Sequence, residues 1–110
     1  MKCLSIHQPW AELIISGRRK LEIRNWATPY RGKILIHAGL KIERAECDRL
    51  SIYPWRTGAI IGAVDLVDIH TLSKKEWEST RSLHLEAGAP CYGEETCGWF
   101  FENPERFAHP

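Results

Sequence analysis

The side chains best suited to chemistry are crowded into one stretch, Gly17-Arg18-Arg19-Lys20-Leu21-Glu22-Ile23-Arg24-Asn25-Trp26. It carries Arg18, Arg19, Lys20 and Arg24 against a single anion, Glu22. From Lys20 onward polar and apolar residues alternate. This predicts a half-buried strand with Lys20, Glu22 and Arg24 on one face, Trp26 next on the same side, and Leu21 and Ile23 turned to a core. An arginine fork matches the oxygens of phosphate or carboxylate. A carboxylate among cations can accept from a base edge or orient an arginine. Trp10, Trp26 and Tyr30 lie close in sequence, and aromatic faces beside cations are what single-stranded nucleic acid needs, since bases stack while phosphates pair. The same residues also allow a plainer outcome, in which Glu22 pairs with a neighbouring arginine on an exposed sheet face and contributes little.

Three more polar groups join the candidate set. His7 and Gln8 stand at a strand-to-helix junction, where side chains reach a cleft mouth and free helix N–H groups attract anions. His37 interrupts an apolar strand and either faces the same cleft or is satisfied in place. Arg31, in the turn after Trp26, adds a further cation. As a binding surface, Arg18, Arg19, Lys20 and Arg31 would contact phosphates, Glu22 and Arg24 would read base edges, Trp10 and Trp26 would stack, and His7, Gln8 and His37 would line the floor. As an enzyme, Glu22 would act as acid or base, with Lys20 or Arg24 steadying an oxyanion.

Composition narrows the classes. At 110 residues, 44% apolar and 26% charged, the chain reads as one globular domain spanning 1–110, large enough to bury a core without staples. No apolar run would span a bilayer and no signal-peptide pattern opens the chain, so a cytoplasmic home is expected and no membrane partner. Cys3, Cys47, Cys91 and Cys97 form no C-x-x-C pair and no zinc-ligand spacing with the histidines; neither a metal nor a cofactor is expected, and Cys3 and Cys97 read as small core residues. Net charge is only +1, yet residues 1–40 hold seven Lys/Arg and two Glu, while residues 41–110 hold eight Lys/Arg and twelve Asp/Glu. The basic half contains the signature stretch, which points to a polyanionic partner at one face.

These groups need a frame to position them. Cys3–Ile6 reads as a strand, and Pro9–Ser16 as a helix with Pro9 at its start and Gly17 ending it. Lys33–Ala38 is a second β-run that a longer connection would let pair with Lys20–Arg24. Residues 41–50 read as a short helix and 51–58 as irregular. Ala59–Ile69 is the most apolar strand and is expected at the centre of the sheet, with Gly62 marking a bend or bulge. Ser73–Ser79 carries a capping-box spacing. Residues 81–95 read as a loop with at most one helical turn, Cys97–Glu102 as the last strand, and Asn103–Phe107 as a turn. Trp77 and Trp99 are expected in the core. The order predicts an α+β domain on a curved, mixed sheet or open barrel; without a glycine-rich strand-to-helix loop it is not a nucleotide-binding doubly wound fold.

Leu4-Ser5-Ile6-His7-Gln8-Pro9-Trp10-Ala11, then Gly17 through Trp26, then Tyr30-Arg31-Gly32, closely resemble an ASCH domain (activating signal cointegrator homology). The family signature G-x-K-x-x-E-x-R falls on Gly17–Arg24, with Arg19 at the usual lysine, and Gly58–Asp68 resembles the cointegrator's own subgroup. The resemblance implies a PUA-like open β-barrel with short flanking helices, a cleft beside the signature strand, and binding of RNA or other single-stranded nucleic acid linked to transcription or translation. Some bacterial relatives are acetylcytidine amidohydrolases and others ribonucleases. The amidohydrolase lysine falls at Arg19 and its threonine at Glu22. An arginine stays protonated and cannot serve as a tunable base, which favours a binding module over that enzyme. Family members continue past the Asn-Pro turn with another strand, so an open sheet edge able to accept a protein partner is expected here.

Overall fold

The computed structural model describes residues 2–108. Its five strands, β1 (Lys2–Gln8), β2 (Leu21–Arg24), β3 (Gly32–Ile42), β4 (Ala59–Thr71) and β5 (Cys97–Arg106), form one sheet in the order β1-β3-β4-β5-β2. Only β1 and β3 run parallel; the other neighbours are antiparallel. The sheet curls into a half-barrel. Its two edges come close enough for Arg24 Nη2 on β2 to donate to the Ser5 carbonyl on β1 at 2.8 Å. The gap between those edges is an open seam in the barrel wall.

Helix α1 (Trp10–Ile15) packs on the concave side, burying Ala11, Leu13, Ile14 and Ile15 against Ile6, Ile34, Ile36, Val64, Leu66 and Trp99. Its start is secured from an unexpected direction: the Gln8 side-chain oxygen accepts from the Glu12 N–H at 3.0 Å, doing the work of an N-cap. Gly17 follows the helix with φ +84°, as a C-terminal glycine does. Helices α2 (Arg44–Leu50), α3 (Lys74–Ser79) and α4 (Arg81–His84) are short, and Ser73 caps α3 by accepting from Glu76 N–H at 3.0 Å. β4 is the central strand, as its apolar run implies. At Gly62 a side chain would put its Cβ only 2.2 Å from the Glu105 carbonyl oxygen, so the strands close up there only because it is glycine.

Three expectations are corrected. β2 does not pair with β3; it lies beside β5, with Leu21 opposite Phe100 and Arg24 opposite Cys97. The gain is a second small core, Leu21 and Ile23 against Leu72 and Trp77, which exists only in that position. Asn103–Phe107 is not simply a turn, because β5 continues to Arg106. Asn103, with φ +52°, and Pro104 supply an extra residue against β4 between Ala63 and Asp65, a bulge that tolerates proline's missing N–H. Cys3 is exposed rather than core, while Cys47 is buried. Trp77 and Trp99 are fully buried.

Candidate functional site

The seam between β1 and β2 opens into a hollow of about 250 Å³. β1 contributes Ser5 and His7 to its wall, β2 contributes Glu22 and Arg24, and Trp10 and Arg19 close it from the α1 side. The rim comes from distant segments: Glu43 after β3, and Glu86, Cys91 and Tyr92 from the connection before β5.

Glu22 is the centre of the arrangement. It is 4% exposed, and each carboxylate oxygen meets a different guanidinium: Oε1 accepts from Arg19 Nη2 at 2.6 Å, and Oε2 from Arg24 Nε at 3.0 Å. Arg19 is 2% exposed and cannot wander. Its Nη1 donates to Glu86 Oε2 at 2.9 Å and to the His84 carbonyl, and its guanidinium carbon lies 4.2 Å from the Trp10 ring centroid. Arg19 Nε is buried with no partner. A charge pair this buried is tolerable only because nearly every donor and acceptor is engaged.

Behind Arg19 sits a strap. The His84 ring is fully buried and stacks on Trp77 at 4.1 Å; its Nε2 bonds the Trp77 carbonyl, and its Nδ1 accepts from the Glu86 N–H at 2.9 Å. Burial holds the His84 pKa below its usual value, with Arg19 adding to the effect. On the rim, burial and then Glu86 push the Cys91 thiol up to about 11, so it is no ready nucleophile.

The structure brings His7, Trp10, Arg19, Glu22 and Arg24 together and places the other candidates elsewhere. Lys20 precedes β2 and turns the other way, into a groove beside Gly17 and Pro104. Arg18 is exposed and does not line the hollow. Arg31 caps the Thr28 and Tyr30 carbonyls at 2.8 Å. Trp26 packs edge-to-face on Trp99 at 4.7 Å, beside a separate small pocket shared with Tyr30. Gln8 is no floor residue: it is fully buried, and its amide nitrogen donates to the Arg56 carbonyl at 2.8 Å. His37 lies directly across from Ser5, with 2.8 Å between its Nδ1 and the Ser5 hydroxyl oxygen, outside the hollow wall.

One expectation about charge is corrected as well. The hollow is not basic, because Arg19 and Arg24 face three carboxylates, Glu22, Glu43 and Glu86. Ser5 had a signal, since it alternates with His7 along β1. Glu43, Glu86, Cys91 and Tyr92 had none, because only the fold carries them to the seam.

A family model for the ASCH domain matches residues 4–110. The chain belongs to the ASCH family. Curated relatives include human Activating signal cointegrator 1, 34% identical over 80% of this chain, and its mouse counterpart, 36% identical over 69% of this chain. The chain spans 17% and 15% of those proteins' lengths. Crystal structures of the ASCH protein from Zymomonas mobilis share the fold. A serine-to-alanine mutant superimposes with a TM-score of 0.70 at 15% identity, covering 96% of this chain and 70% of the other. The unsubstituted protein gives 0.69 at 15%, with 94% and 68% covered. No helix among the described residues of this ASCH domain is long and apolar enough to cross a membrane.

Proposed function

We propose that this ASCH domain binds RNA or other single-stranded nucleic acid by seating one unstacked base in the seam hollow. The observation that carries the reading is Glu22, fixed between two guanidiniums at the bottom of a cavity too small for a strand. The carboxylate keeps lone pairs free for an exocyclic amino group, and Arg24 keeps an unused N–H for a ring nitrogen or carbonyl. Trp10 and its stacked arginine offer a flat wall, and Tyr92 an aromatic at the mouth. The net negative lining suits a base and disfavours a phosphate. Phosphates would instead meet exposed cations such as Arg18 and Lys20 on neighbouring surface. A reducing, cytoplasmic setting suits the four free cysteines, and the relatives' name, activating signal cointegrator, supports a regulatory role.

Of the groups a hydrolase reading would use, Glu22 and Arg24 face the hollow but Lys20 does not. Binding of a fluorescein-labelled single-stranded RNA, followed by anisotropy across a salt series, tests the proposal. The expected result is affinity that falls linearly on logarithmic axes, by about 0.7 per phosphate neutralised, and a changed base preference in Glu22→Gln. Absent or salt-independent binding overturns it.

A further inference from the structure

The most exposed aromatics of the described residues lie away from the hollow, on the irregular segment after α2. Trp55 is 76% exposed and Tyr53 66%. They border a groove of about 450 Å³ closed on the far side by Phe107. The Arg56 guanidinium lies over the Trp55 ring, 4.6 Å from its centroid. The backbone beneath is held firmly. Buried Gln8 grips the Arg56 carbonyl, and Gly58 N–H donates to the Ala38 carbonyl at 2.7 Å. An indole presented to water on a pinned backbone is a stacking surface already in its bound shape, so little ordering is required when a ligand arrives.

The local charges choose the occupant. Residues 41–56 hold four Lys/Arg against three Asp/Glu. Glu46 is paired with Arg49, and Glu12 on the groove wall with Arg106, while Glu43 bonds the His7 ring and Asp48 accepts from the Tyr53 hydroxyl. Lys41, Arg44 and Arg56 form no ion pair among the described residues. A small excess of cations beside exposed aromatic faces fits a polyanion with bases to stack; an acidic protein surface would meet the cations but leave the aromatic faces unused. The segment also connects to the hollow. Gln8, which holds Arg56 with its side chain, accepts from Glu43 N–H at 2.7 Å with its carbonyl, and Glu43 forms part of the hollow's rim.

We infer that the Tyr53–Arg56 segment is a second contact surface for the same strand. Bases flanking the one in the hollow stack on Trp55, and Arg56 meets a phosphate. The inference rests on the reading of the hollow given above. Its test compares fluorescein-labelled oligocytidylates, whose bases carry the exocyclic amino group that Glu22 would accept from, of about 4 and about 16 nucleotides, which bracket the site sizes of single-strand binders. The wild type should bind the longer one more tightly. Trp55→Ala should weaken the longer one about 5- to 150-fold, Trp55→Phe should restore most of the loss, and Arg56→Ala should flatten the salt slope by about 0.7. Unchanged thermal melts would confirm that the variants fold. If Trp55→Ala and Arg56→Ala bind the longer strand like wild type while Glu22→Gln weakens it, this surface is not on the path and the hollow reading stands alone. If the wild type binds neither strand, both readings fall. Capture of a protein that depends on Trp55 while oligonucleotide affinity does not would overturn the inference in favour of protein docking.

Discussion

The seam hollow and the Tyr53–Arg56 segment offer two opposite ways to hold polar and aromatic groups. In the hollow, Glu22 and Arg19 are almost wholly buried and locked by contacts from β2, α1 and the strap at His84–Glu86. At the segment, Trp55 is 76% exposed and the half-buried Arg56 lays its guanidinium over the ring. A buried network is expensive to break and positions a few atoms closely, which suits discrimination. An exposed stack costs little to alter and accepts any base, which suits affinity without choice. Stability should therefore be sensitive at the first region and indifferent at the second.

Arg19→Ala should give the largest effect. It strands Glu22 and Glu86 in a poorly solvated site, and breaking a buried pair from one side costs about 3–5 kcal/mol; urea unfolding measures it, and a loss under 1 kcal/mol would mean the network is dispensable. Glu22→Gln keeps the shape and one acceptor, so about 1–3 kcal/mol is expected from the same experiment, together with loss of base preference. Smaller still is the response to acid. Because burial holds the folded-state pKa of His84 below that of the unfolded chain, the unfolded state takes up the proton first. Stability is then present above the unfolded value of about 6.5 and declines as pH falls below it. Urea unfolding at stepped pH should show that decline, with a shallower slope in His84→Gln. The Trp55 indole resonance should stay unmoved over the same range, since the strap's contact on that side, the Leu85 carbonyl accepting from Arg49, ends on α2. Trp55→Ala should change unfolding free energy least, by no more than about 0.5 kcal/mol. A larger loss would mean the segment is structural and the contrast between the two regions is wrong.

Local rules were readable wherever neighbours in sequence are neighbours in space. Ser73 caps α3 at the spacing that predicts it, though Glu76 spends its side chain on His70 at 2.9 Å instead of completing the box. The long apolar run of β4 announced a central strand. What could not be read is the partner of each strand. Both β3 and β5 are apolar and of adequate length, so nothing local tells β2 which to join, and the second core around Trp77 decides it. Arg19 shows the same limit. Its position two residues past a glycine and two before a strand predicts an outward cation. It turns inward because His84 and Glu86, more than sixty residues away, offer acceptors there.

Alternation alone determined that Glu22 and Arg24 share a face, because successive side chains of a strand leave on opposite sides whatever the strand pairs with. Whether that face met water or an enclosed hollow, and whether the hollow was basic, depended on long-range closure: β1 had to curl round to β2, and Glu43 and Glu86 had to arrive from elsewhere. Charge in a site is a sum over whatever the fold assembles, and no single stretch of this chain contains all of its terms.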